Sequence, residues 1–266
     1  MTWVESSSET FTARHDARDG ADAERVLAQL EHARRTLERR FSARLGDLAV
    51  VLHGSTAQLD AAQPWLPVQR ALTAPAGRRY LVGWTDLGTL PGLCPRVLAQ
   101  RASNGEGSLE MLMLAPSALL ARLTVGASRP GFPPPFSPRR FRRYLSRLWL
   151  IEGAAQYFSG QTRHLRPVVA GRLRDGPPPS FPPGRRDAAL LGGTVFDLLA
   201  REEGEDACVR LASGPSPGGE AQALERAFPG RAIRHTEAAW RSHLARLAAG
   251  APEISARPVR EARPRA

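Results

Sequence analysis

The chain has 266 residues, with 37 basic and 26 acidic side chains, a formal net charge of +11 and 42% hydrophobic residues. That hydrophobic share supports a packed core and excludes wholesale disorder. The longest apolar stretch, Leu109 to Ala121, is interrupted by Glu110, Pro116 and Ser117, so no run reads as a membrane span.

The first ten residues carry no regular pattern and are expected to be a loose terminus. Phe11, Ala13 and His15 alternate with polar residues, which predicts a short strand. Val26, Leu30, Ala33, Leu37 and Phe41 then recur at helical spacing, with Asp22 as a candidate cap and Gly46 beyond the end. Leu48–Leu52 predicts a buried strand, 55–63 a short helix stopped at Pro64, and Arg79–Trp84 and Leu109–Leu114 two further strands. Ser117–Val125 predicts a short apolar helix. The five prolines between Ser128 and Pro138 require a loop.

Residues 139–159 form the best helical block, with Phe141, Tyr144, Leu145 and Leu148 on one face and arginines on another. A helix over 161–175, a Pro-rich loop over Gly176–Gly184 and helices from Ala188 onward complete the pattern. The last helix carries the stripe Ile233, Trp240, Leu244 and Leu247, and 250–266 reads as a tail. Strands come first and helices after, which is an α+β order. One domain over 11–248 is expected, with an α/β part at 11–127, a helical part at 138–248, and flexible ends at 1–10 and 249–266.

Every basic residue is Arg, Asn occurs once, at Asn104, and Ile three times. This reads as a GC-rich coding bias, so the basic balance is discounted as a nucleic-acid signal, although attraction to anionic surfaces still follows from it. Only Cys94 and Cys208 are present, outside any CxxC spacing. With no basic start followed by an apolar stretch, the expectation is a cytoplasmic protein without a disulfide framework.

The segment Leu148-Trp149-Leu150-Ile151-Glu152-Gly153-Ala154-Ala155-Gln156-Tyr157-Phe158 places one carboxylate among apolar neighbours on a helix. A buried carboxylate is costly unless it is paired or holds a cation. The plainer account sets Glu152 at a helix start, facing the dipole. Trp-Leu-Ile-Glu-Gly-Ala-Ala-Gln-Tyr resembles the W-L-x-E-G-x-A-x-Y segment of gluzincin metallopeptidases, the thermolysin and aminopeptidase class with the peptidase MA-like fold. The likeness spans 11–248 in the order of its elements, including Gly193–Leu199 and Ala223–Leu244 after the site. It implies a small mixed sheet with helices, followed by an all-helical part. It also makes Glu152 the position of the third zinc ligand, the other two being the histidines of H-E-x-x-H.

That motif is missing. The histidines are His15, His32, His53, His164, His235 and His243, and no two lie four apart. Leu119–Val125 resembles L-x-H-E-L-T-H with its key positions changed. Ala121 and Val125 then replace the histidines and Arg122 the general base, while Leu119, Leu123 and Thr124 match. Neither Ala nor Val offers a lone pair, so zinc would keep one protein ligand. The expectation is a metal-free protein without catalytic residues, in which Arg122 pairs with Glu152 and supplies the positive charge.

Its cleft, with Arg122, Glu152 and Tyr157 as candidates, is expected to bind a peptide or protein partner, an acidic one fitting best. An active zinc peptidase with ligands elsewhere, such as His164 with His15 or His53, is one alternative. A binder of nucleic acid or anionic surfaces is another, resting on Arg139-Arg140-Phe141-Arg142-Arg143, whose plain reading is a solvated helix face. Gly214-Pro215-Ser216-Pro217-Gly218 matches G-x-S-x-G by letter only and reads as a linker.

Overall fold

The computed structural model describes residues 2–85, 88–129, 137–214 and 219–250. The chain opens with β1 (Trp3–Ser7) and β2 (Phe11–Asp16), then a 3-10 turn and α1 (Gly20–Arg40). β3 (Leu48–His53), α2 (Thr56–Ala62), α3 (Trp65–Leu72), α4 (Pro75–Arg78) and β4 (Thr89–Leu93) follow. Next come α5 (Pro95–Arg101), α6 (Ser108–Met113), α7 (Ala115–Ala127), α8 (Pro138–Ser146) and α9 (Leu148–Phe158). The remainder is helical: α10 (Arg166–Arg174), α11 (Ala188–Glu203), α12 (Glu205–Ser213), α13 (Gly219–Ala227) and α14 (Ile233–Ala249).

The sheet has the order β1-β2-β3-β4, with β1 antiparallel to β2 and β2, β3 and β4 parallel. The alternation in β2 places Phe11, Ala13 and His15 on the buried face, with Phe11 opposite Leu48 and Ala13 opposite Val50 of β3. α1 and α7 pack on the sheet, and α9 packs between α7 and α11. The mixed α+β architecture with a small mixed sheet is therefore as expected.

Several expectations need correction. β1 lies in the segment expected to be loose. Its exposure alternates along an edge strand, so it lacks the apolar signal of a buried one. The strand expected at Leu109–Leu114 is α6, running into α7. A short apolar run does not fix its own period, and Pro116 sits at the second position of α7, where a missing N–H costs nothing. Arg79 and Tyr80 continue the turn after α4, and Leu81–Trp84 lies outside the ladder, touching β4 only through a bridge between Gly83 and Gly92. Its polar backbone groups are taken by side chains: Gln63 binds both Trp84 N and Trp84 O, and Arg70 Nε donates to Leu81 O at 2.9 Å. The true fourth strand, Thr-Leu-Pro-Gly-Leu, was hidden by Pro91 and Gly92, which an edge strand tolerates. The 139–159 block breaks at Arg147 into α8 and α9. The tail over 251–266 and most of the loop at 130–136 lie outside the described residues.

α9 and α11 cross at close range. A Cβ at Gly153 would lie 2.5 Å from the Gly192 carbonyl oxygen, and one at Gly192 would lie 2.7 Å from the Trp149 oxygen. Two glycines facing each other are what this approach requires. Gln156, one turn beyond Glu152, accepts from Gly193 N at 2.8 Å and donates to Ala189 O, fixing the rotation of α9 against α11.

Candidate functional site

α9 is buried on nearly every side, and Glu152, in its second turn, is 4% exposed. Its side chain points toward α7. There Arg122 Nη2 donates to Glu152 Oε2 at 2.7 Å, and Arg122 Nη1 donates to the Gly83 carbonyl at 3.1 Å. The other carboxylate oxygen, Oε1, accepts from the Tyr144 hydroxyl of α8, whose oxygen in turn accepts from Gln69 Nε2 of α3 at 2.9 Å. Four helices and the Leu81–Trp84 segment thus converge on one buried carboxylate. The pairing of Arg122 with Glu152 expected from the sequence is present.

Burial alone would lower the Arg122 pKa, but the negative charge of Glu152 outweighs it and the guanidinium stays protonated more firmly than usual. The Tyr144 hydroxyl is pushed well above its ordinary range, first by burial and then by the Glu152 charge, so it remains a hydrogen-bond donor. Aromatic packing holds it there: the Trp84 and Tyr144 rings are 4.6 Å apart, and Trp65 stacks on Phe141 at 4.8 Å. The break at Arg147 between α8 and α9 allows Tyr144 to meet a residue eight positions later.

The remaining candidates fall differently. Ala121 and Val125 are buried in the core and do not line the small pocket beside Glu152. The α7 residues that do line it are Ala115, Ala118, Leu119 and Arg122, because these share one helical face. Arg122 therefore stands one turn beyond Ala118 on the face toward the acid, and Ala121 and Val125 lie off that face. Tyr157 is not part of the pocket either. Five residues beyond Glu152, it points to another side of α9, where it stacks near Phe196, meets Phe158 edge-on and is half-buried. Burial raises its hydroxyl pKa. Tyr144 was absent from the expected site. Its only sequence signal was its place on the apolar face of an Arg-rich helix.

A zinc ion does not fit this arrangement. Both carboxylate oxygens of Glu152 already accept from a guanidinium and a phenol, and no histidine lines the pocket. Among the described residues no three His, Cys, Asp or Glu side chains come together as a metal-holding group. No helix among the described residues is long and apolar enough to cross a membrane. No protein-family model, no curated protein and no solved structure matches the chain.

Proposed function

We propose that this chain is a non-catalytic binding protein on a metallopeptidase-like scaffold, with Arg122 in place of the metal. The carrying observation is the 2.7 Å contact between Arg122 Nη2 and Glu152 Oε2, both side chains buried. In the gluzincin motif the two histidines sit at i and i+4 and the general base at i+1. The α7 residues facing Glu152 at that spacing are Ala118, Leu119 and Arg122. On this reading the first ligand is lost, the base is an alkyl group, and the second ligand is a cation that itself binds the retained acid. Neither an acidified water nor a proton acceptor follows from such a set.

The partner reading rests on charge. Arg139, Arg140, Arg142 and Arg143 are exposed on α8, while Phe141 and Tyr144 of the same helix are buried beside the site. A rigid helix presenting four guanidinium groups suits an acidic peptide or acidic protein face.

Two measurements test the proposal. Untagged protein should contain no stoichiometric zinc, and added zinc should leave its unfolding midpoint unchanged; tightly bound zinc with peptide hydrolysis would overturn it. A Glu-rich peptide should bind in fluorescence anisotropy and lose affinity when Arg139 and Arg142 become Ala. Steep salt-dependent retention on duplex DNA without peptide binding would replace this reading with nucleic-acid binding.

A further inference from the structure

A cavity of about 140 Å³ lies where the turn after α4, the loop before α6 and helix α10 meet, and it opens to solvent. It shares only Tyr80 with the pocket beside Glu152. Ala76, Val168 and the Tyr80 ring give it an apolar wall. Two glycines shape it. Gly107 has φ +75°, and a Cβ there would lie 2.7 Å from His164 O, so the loop before α6 is locked against the 3-10 turn Gln161–His164 that precedes α10. Gly171 lines the cavity from inside α10, where glycine costs helix stability. A Cβ at Gly171 would meet no atom within 4 Å, so its missing side chain is room that the cavity keeps.

Charges of both signs line this space without closing on each other. Arg79, Glu106 and Asp175 all belong to the lining, and among the described residues none of their side chains makes an ion pair. Arg79 is half-buried and the two acids are exposed. The other cation in the lining, Arg172, is spent on Asp187 and on the carbonyls of Asp175 and Pro177, so it is a fixed wall. Ser108, 1% exposed, also lines the cavity. Its hydroxyl oxygen accepts from the Tyr80 hydroxyl at 3.1 Å and from Ser103 N at 3.0 Å. Its own proton meets no acceptor among the described residues and is left to donate. The cavity therefore offers a guanidinium and a hydroxyl donor to an anion, and two carboxylates to a cation. A cleft with an apolar wall and a few convergent polar groups has the composition of a small-molecule site.

We infer that this cavity binds a small zwitterion, a free α-amino acid with a short side chain. The Arg79 fork and the Ser108 hydroxyl take the carboxylate, and Glu106 and Asp175 take the ammonium group. The side chain rests on Ala76 and Val168. A cavity of about 150 Å³ holds a six-carbon ring, so the space suits a molecule of that size and not a peptide. An anion alone would leave both acids unmatched, and an amine alone would leave Arg79 unmatched. The site stands or falls independently of the proposed function.

The test uses the full chain at constant ionic strength. The probes are glycine, L-alanine, L-serine and L-valine, with acetate and methylamine as the two halves of the zwitterion. At least one amino acid should raise the unfolding midpoint saturably and show saturation-transfer NMR from the protein, while acetate and methylamine at equal concentration do neither. Arg79→Gln should weaken binding about tenfold or more, the loss of one charge-assisted contact, and Glu106→Gln with Asp175→Asn should do the same. All three side chains reach solvent, so these variants keep the fold. Gly171→Leu fills the cavity and should abolish the response. Its Cβ enters open space and leucine favours the helix, so the midpoint of the free protein should stay level or rise. Removing Arg139 and Arg142 should leave the response intact, which separates this site from the basic face of α8. No response to any of the four amino acids overturns the inference. So does a response matched by methylamine or acetate alone, which reports simple charge attraction, and so does one unchanged in both Arg79→Gln and Gly171→Leu, which places binding elsewhere.

Discussion

Two buried arginine–carboxylate pairs hold this molecule together, and they are built differently. Arg172 and Asp187 form a bidentate fork, with Nε to Oδ1 at 2.7 Å and Nη2 to Oδ2 at 2.8 Å, while Arg172 Nη1 donates to the carbonyls of Asp175 and Pro177. All three guanidinium nitrogens are used, and the pair closes the Pro-rich connection from α10 to α11. Arg122 meets Glu152 through Nη2 alone, its Nε is buried without a partner, and the second carboxylate oxygen goes to Tyr144. The first pair is a local clamp with its geometry complete. The second joins helices distant in sequence and leaves a donor unused.

Breaking each pair from one side should give the largest effects. Arg122→Leu strands a buried carboxylate and should cost about 3–5 kcal/mol in urea unfolding. The double variant Arg122→Leu with Glu152→Leu should recover most of that, because a buried ion pair is often replaceable by apolar groups. A double variant as unstable as the single would mean that packing around α7, not the charge, sets the cost. Next in size is a comparison of lysine substitutions. Arg172→Lys loses the fork and should cost about 1.5–3 kcal/mol, whereas Arg122→Lys loses chiefly the contact to Gly83 and should cost about 1 kcal/mol. Equal losses would erase the distinction between a complete clamp and a partial one.

The sequence exposed one of these pairs and hid the other for physical reasons. Glu152 stood out because a charge within Trp-Leu-Ile-Glu-Gly-Ala-Ala demands a partner, and Arg122 was the cation in the other strongly apolar helix. Arg172 and Asp187 sit in ordinary polar surroundings, where nothing marks them for burial. Tyr144 could not be assigned because its contact depends on the turn at Arg147, set by tertiary packing rather than by a helix-breaking residue. In the sheet, β2 and β3 were legible from alternation and valine content. β1 and β4 were not, since edge strands need no apolar face and admit Pro91. Arg79–Trp84 has the composition of a strand, yet side-chain amides and guanidiniums claimed its backbone first.

A smaller effect isolates the part of the second pair that the first lacks. Tyr144→Phe removes the donor to Glu152 Oε1 and the acceptor of Gln69, and should cost about 1–2 kcal/mol. In the Arg122→Leu/Glu152→Leu background the same change should cost less, because the carboxylate it served is gone. Equal costs in both backgrounds would assign Tyr144 to packing against Trp84 alone.

The smallest effect comes from the sheet, where no arginine pairs with the group concerned. Burial lowers the His53 pKa below its ordinary 6.5, so the unfolded chain binds a proton that the folded one resists. Its contribution is complete above pH 6.5 and is lost as the pH falls below that value, at no more than about 1.4 kcal/mol per pH unit. Glu31 acts in a lower window. Burial opposes its ionisation, but donors from Ser8 and Thr10 and the Arg34 charge more than offset this and hold its pKa below 4.5. Its contribution is present above pH 4.5 and is lost as the pH drops through the folded value. His53→Phe keeps a ring against Trp3, which the imidazole meets edge-on at 6.4 Å, and should flatten only the upper limb of the acid curve. Glu31→Gln should flatten only the lower one. If His53→Phe leaves the upper limb unchanged, the proton is taken up elsewhere, and the sheet is no more sensitive to acid than the helices that carry the two arginine pairs.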